Sequence, residues 1–253
     1  MYILNILKKE GEIIMNKLIY LCQKDIKQGL RVGKLYIIIG ILLSLTFMVV
    51  PIYVVLTSTS SENVNSLKII SSSIINYIPF IIIYIMLFTG NSITQKLISR
   101  EKNNKTTIPL LCAGITPKKY WLSKLLSVFT ITFSISLIFV LILLLITLVL
   151  TPDLLISKFS LLLIQIFITP LFSLVFIGIT ELLYMISLKF WVLSMFFMLI
   201  PIMIFPYWNK LTIFNNNYYI LGLGLLCIFL IFILSFLANC ISRKRLSGIF
   251  ELT

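Results

Sequence analysis

The sequence predicts an all-α membrane protein of six transmembrane helices, preceded by an N-terminal amphipathic elbow helix. Three observations carry this. Of 253 residues, 60% are hydrophobic and only 11% charged, with a mean hydropathy of +1.10, where a soluble domain carries roughly 25% charged residues. Apolar runs of about the 20 residues that a membrane helix needs recur six times. Lysine and arginine are sorted between alternate loops. An ordinary soluble globule and a disordered chain are both excluded, and no segment has the alternating pattern of barrel strands. The net charge of +13 would point to nucleic acid in a soluble protein. Here it reflects loops retained on one side of a bilayer, and no nucleic-acid partner is expected.

The first 34 residues form a cytoplasmic arm. From Ile13 to Arg31, apolar Ile14, Leu18, Leu21, Cys22 and Ile26 recur at helical spacing among Lys17, Lys24, Lys27 and Arg31. That is a basic amphipathic helix suited to the membrane interface. It reads either as a plain anchor or as an elbow that fixes the first span and helps form a partner interface. The transmembrane domain, residues 35–241, follows with spans at Leu35–Leu56, Ile74–Ile93, Leu125–Leu150, Phe159–Leu183, Phe190–Trp208 and Tyr218–Ile241. The first starts too far in and is too long for a removed signal peptide. A basic tail, residues 242–253, closes the chain.

Orientation follows from the positive charges. The arm holds seven lysines and arginines, the loop after the second span another seven, the turn after the fourth Lys189, and the tail Arg243, Lys244 and Arg245. The other three loops hold Lys68, Lys158 and Lys210, a split of 18 against 3. The positive-inside rule places both termini in the cytoplasm of the plasma membrane. Trp121, Trp191 and Trp208 fall at predicted span ends, where amphipathic rings anchor. The external loops, the longest from about Thr57 to Ser73, leave no room for an external sensing domain.

Chemistry is constrained by what is missing. There is no histidine, which removes His-based metal sites and the Ser-His and Cys-His catalytic pairs. No paired carboxylates sit inside the spans, so the chain is not read as an enzyme. The four cysteines, none in a CxxC, read as small apolar residues. Within the spans, Glu181 lies near the cytoplasmic end of the fourth, close to Lys189. It either snorkels or pairs there, or it serves a subunit interface or cavity mouth. Gln165 and Asn91 are expected to hydrogen-bond between helices. Pro170, Pro201 and Pro206 should kink spans four and five. Gly222 and Gly224 do not make GxxxG and give no dimer motif. The interior is otherwise expected to be almost wholly apolar.

The loop 95–124, QKLISREKNNKTTIPLLCAGITPKKYWLSK, is the most informative stretch. Thr106 or Thr107 can cap a short helix with Pro109 in its first turn. Ile108, Leu110, Leu111 and Ile115 make an apolar patch, Gly114 and Pro117 break the helix, and the basic run Lys118–Lys124 leads back to the membrane. The patch suits either the lipid surface or a cytoplasmic partner.

With six spans, cytoplasmic termini, a basic amphipathic N-terminal helix and this loop, the chain resembles the permease subunits of ABC-2 type ATP-binding cassette exporters, the type V transmembrane domain. The resemblance in residues lies at Arg100, Glu101, Lys102, Thr106, Leu110, Leu111 and Gly114, and at Lys124, Leu125 and Leu126 entering the third span. Lys105, where family members often have glycine, and Pro109 depart from the pattern. The resemblance implies that the loop couples to a separate ATP-binding subunit, present in two copies, and that a second permease copy, identical or paralogous, completes the pathway. ATP and Mg would be held by that partner, since no GxxxxGK[ST] occurs here and no cofactor is expected in this chain. The cargo it implies is an amphipathic or hydrophobic peptide, such as a bacteriocin or a phenol-soluble modulin, exported from a bacterial cell. Lipid or drug efflux, and a non-transporting membrane anchor, are the alternative readings.

Overall fold

A computed structural model describes residues 18–42, 45, 46, 49, 63–187, 190 and 217–241. Most of the first predicted span beyond residue 42, nearly all of the fifth, and the basic tail fall outside these residues, as do Lys189, Trp191, Pro201, Pro206 and Trp208. Seven helices are described: α1 (18–42), α2 (Asn63–Asn103), α3 (Thr107–Cys112), α4 (Pro117–Leu150), α5 (Pro152–Ser157), α6 (Phe159–Ile186) and α7 (Asn217–Cys240). Four of them, over Ile74–Asn103, Pro117–Leu150, Phe159–Ile186 and Leu221–Cys240, are long and apolar enough to cross a bilayer. The protein is a multi-pass helical membrane protein.

The central element is α2, which packs on α6 and α4, while α7 lies against α6 and α4. From Ile74 to Leu87 most of its side chains are buried in the core. At 41 residues it is about 60 Å long, twice the roughly 30 Å of a hydrocarbon core. It begins inside the stretch expected to be an external loop, because Asn63–Ser73 is already helical. The outer helices reverse the pattern of a soluble bundle. Ile138, Leu141, Leu145 and Val149 on α4, and Leu225, Phe229, Phe232 and Phe236 on α7, recur at helical spacing and are exposed. Apolar stripes of this size suit lipid.

Two boundaries differ from expectation. Pro117 does not break a helix but opens one. It occupies the first turn of α4, and the Thr116 hydroxyl accepts a hydrogen bond from the Lys119 amide at 3.3 Å, so α4 starts eight residues before Leu125. Proline fits there because the first-turn amides lack helical partners anyway.

The second boundary is the one between arm and first span at Lys34–Leu35. The helix α1 crosses it without interruption. Its buried face is Leu21, Asp25, Gly29, Gly33 and Gly40. A Cβ at Gly29 would lie 2.8 Å from Ile131 Cδ1, one at Gly33 2.8 Å from Ile93 Cγ1, and one at Gly40 2.7 Å from Thr89 Cγ2. A side chain there would make these facing groups shift, so the glycine face of α1 lies close against α2 and, at Gly29, against α4. Gly29 and Gly33 form a GxxxG, the spacing that lets two helix backbones approach. The same half of α1 is pinned to α4: the Ser127 hydroxyl donates to the Cys22 carbonyl at 3.3 Å and the Cys22 thiol to the Ser123 carbonyl at 3.5 Å.

Candidate functional site

The segment between α2 and α4 folds as a compact knuckle. Its turn out of α2 places Lys105 at φ 54, the only non-glycine residue with positive φ among those described. A side chain in this left-handed region is crowded by the carbonyl, and glycine alone enters it freely. This is the position at which the resembled pattern often has glycine. The short helix α3, TIPLLC, follows where the sequence places it. It ends in a Schellman motif: Gly114 at φ +83 donates its amide to Leu111 O at 3.2 Å, and Ile115 to Leu110 O at 3.3 Å. The Thr106 side chain makes no cap to α3; its hydroxyl donates back to Glu101 O at 3.3 Å.

The apolar patch is turned mostly inward. Leu111 and Ile115 are buried, Ile108 and Leu110 half-buried, and the surface of the knuckle is made by Pro109, Cys112, Ala113 and Gly114. Leu111 and Ile115 therefore hold α3 to the bundle rather than offering it to a partner.

On either side of α3 in the chain, the end of α2 and the first turns of α4 meet α1 in a buried ion cluster. Lys124 Nζ is 2.6 Å from Asp25 Oδ1 and 2.8 Å from Glu101 Oε1. Lys24 Nζ reaches Glu101 Oε1 at 3.2 Å, and the Tyr120 hydroxyl donates to Glu101 Oε2 at 2.7 Å. The Lys124 ammonium also lies 5.2 Å from the centroid of the Tyr120 ring. Asp25, Glu101 and Lys124 are each at most 2% exposed, so α1, α2 and α4 are joined by charges that water does not screen. Burial pushes the Asp25 carboxyl above the usual carboxylate range, against the opposing pull of Lys124. Its Oδ2 has no hydrogen-bond partner among the described residues.

Of the loop residues singled out from the sequence, Glu101 and Lys102 are buried, Arg100, Thr106 and Gly114 exposed, Leu110 half-buried and Leu111 buried. The basic run Lys118–Lys124 is not uniformly a surface feature, since its last residue is the hub of the cluster. Asp25 and Tyr120 were not singled out, and Lys124 was singled out only as part of the resembled pattern entering the third span, not as the hub of an ion cluster. Asp25 was within reach of periodicity: it stands four residues after Leu21, on the face that Gly29 and Gly33 continue.

Beside the cluster, between α1 and the end of α2, opens a groove of about 460 Å³ lined by Lys24, Lys27, Arg31, Arg100, Glu101 and Asn104, among others. A second cleft, about 550 Å³ and apolar, lies between the ends of α6 and α7 and is lined by Ile179, Leu182, Leu183, Ile186, Leu234 and Leu237, among others.

The intramembrane candidates are placed differently from expectation. Glu181 does not snorkel: it is fully buried against α2, where the Thr94 hydroxyl donates to its Oε1 at 3.4 Å. Its Oε2 has no hydrogen-bond partner among the described residues. Next to Glu181 in the chain, the Thr180 hydroxyl donates to Asn91 Oδ1 at 2.8 Å. Gln165 is buried on the same helix but about 24 Å along it, so the two do not form one site. Thr169 and Ser173 lie between them, also buried. The interior is thus less apolar than the composition implies. Trp121 is no interface anchor either; it is buried and donates its indole N–H to Gly178 O at 3.2 Å. The chain matches no protein-family model, no curated protein and no solved structure.

Proposed function

We propose that this chain is the membrane-spanning permease subunit of an ATP-driven ABC-2 type exporter. In this reading it has six spans and cytoplasmic termini, and carries no ATPase site of its own. The observation that carries the reading is the knuckle between α2 and α4. A short helix closed by a Schellman cap at one end is flanked in the chain by the end of α2 and the start of α4, which the buried cluster of Glu101, Lys124 and Asp25 ties to each other and to α1. Such a helix is a stiff lever, because the helices on either side of it are held by charges that cannot separate without leaving a buried ion unpaired. A push on its outer surface is delivered to α1, α2 and α4 together. The strained Lys105, at the glycine position of the resembled pattern, supports the same reading. The partner surface is the exposed tip, Pro109, Cys112 and Ala113, rather than the inward Leu111.

The cargo in this proposal is an amphipathic or hydrophobic molecule, with a toxin or antimicrobial peptide favoured. The apolar cleft between α6 and α7 and the near absence of charge in the spans support it. Nucleotide binding by two partner ATPases would bias a two-state equilibrium of the paired permeases.

The test is to purify the chain with a candidate ATP-binding subunit. A complex of two and two with ATPase activity is expected. Ala113→Arg, at an exposed site, should break the complex while the permease alone keeps its helicity and melting temperature. Turnover altered by an amphipathic peptide supports the cargo; turnover altered only by lipids or drugs reassigns it. If no complex forms, the permease assignment falls and a membrane anchor replaces it.

A further inference from the structure

The basic groove and the apolar face above it form one stripe along α1, continued by the helical residues Leu45 and Val49. Lys24, Lys27, Arg31, Leu35, Ile38, Leu42, Leu45 and Val49 follow one another at steps of three or four residues, so they share one side of the helix. The lower three line the groove, joined across it by Arg100 at the end of α2. The upper five are all more than 40% exposed, and nothing among the described residues covers them. Glu101 is the one acid in the groove wall, and both its oxygens are engaged, Oε1 by Lys124 and Lys24 and Oε2 by Tyr120. Lys27, Arg31 and Arg100 have no ion-pair partner among the described residues. Of the four cations that line the groove, only Lys24 has a counter-ion among the described residues, so the groove presents concentrated positive charge.

Length completes the match. From Leu35 to Leu45 is ten residues, about 15 Å of helix, or one leaflet of a hydrocarbon core about 30 Å thick. An ionised phosphate answers the charge below, and an acyl chain of leaflet length answers the apolar face above. Basic pockets between helices at the membrane surface are suited to such head groups. Arginine adds a planar fork of donors that fits phosphate oxygens. A second copy of this chain would bring a second cationic groove to the first, which the charge opposes.

We propose that the groove between α1 and α2 binds the phosphate of an anionic phospholipid, held by Lys24, Lys27, Arg31 and Arg100, with its acyl chains along Leu35, Ile38 and Leu42. The site is distinct from the exposed tip of α3, so lipid and a docked ATPase occupy different surfaces.

The experiment uses the full chain in an uncharged detergent with a fluorescent phosphatidylglycerol, competed by unlabelled phosphatidylglycerol, phosphatidylcholine or inorganic phosphate. Phosphatidylglycerol is expected to compete at least tenfold more strongly than phosphatidylcholine, and inorganic phosphate only weakly. Arg31→Gln with Arg100→Gln should lower affinity at least tenfold. Lys34→Gln with Lys118→Gln, which removes two exposed charges outside the groove, should leave it unchanged. Leu42→Ser should weaken the lipid but not phosphate. Equal competition by inorganic phosphate would overturn the lipid assignment, and an equal loss in the Lys34/Lys118 pair would overturn the site. Lack of lipid binding with a dimer that Arg31→Gln disrupts would give the surface to a second copy instead. Binding is measured on this chain alone, so a negative result leaves the permease reading standing.

Discussion

Lys124 stabilises two carboxylates at once, and that makes its loss asymmetric. Lys124→Met would leave Asp25 and Glu101 buried with one partly exposed lysine between them, and breaking a buried pair in this way costs about 3–5 kcal/mol. Asp25→Asn removes a charge whose burial already outweighs its pairing, and Glu101 keeps Lys124 neutralised. That variant should melt within about 1 kcal/mol of wild type. The sign extends to pH. A carboxyl raised in the folded state contributes stability below its unfolded pKa, near 4, and loses it as pH rises through the folded value. Thermal unfolding in detergent should therefore show wild type gaining on Asp25→Asn as pH falls toward about 4; the opposite slope would contradict the burial of Asp25. Backbone strain makes a paired prediction. Lys105→Gly should raise stability by about 1 kcal/mol, while Gly114→Ala, which meets no neighbour within 4 Å, should lose a similar amount through φ alone.

Among the elements, α1 depends on its glycine face. Gly33→Ala asks only Ile93 to shift, but Gly33→Leu drives a branched side chain into α2. Overpacking of this kind costs about 1–3 kcal/mol. The larger variant should separate α1 from α2, and a cysteine pair placed across Gly40 and Thr89 should cross-link in wild type and fail in Gly33→Leu. The helices of this bundle were legible as apolar runs: α6 begins at Phe159 and α7 one residue before Tyr218, as hydropathy alone places them. The knuckle was legible too, since Thr, Pro and Gly are local signals. The ion cluster was not. Asp25, Glu101 and Lys124 are far apart in sequence, and nothing local says that a lysine after Trp121 points inward. The glycine register was readable in principle, as GxxxG at Gly29, but the charge pattern assigns that stretch to an interfacial amphipathic helix and so hides a packing motif in it.

At the scale of the whole molecule, charge is concentrated at one end and the exposed flanks are apolar. The long α2 spans the difference, reaching from the core at Ile75 to the cluster at Glu101. The cluster also has an order in time. Asp25 and Glu101 are synthesised before Lys124, and at about 5–20 residues per second the lysine follows Glu101 by roughly 1–5 s. During that interval α1 and α2 can lie together on their glycine face, yet Asp25 lacks its cation and Glu101 has only the partly exposed Lys24. A chain stopped at residue 116 should accordingly be cleared in cells faster than one stopped at Leu150, as pulse-chase labelling would read; equal lifetimes would mean that Lys124 is not needed at this stage. The hub of the ion cluster then acts as a checkpoint on translation: the amino-terminal half of the bundle cannot be sealed until the third of its three pillars has been made.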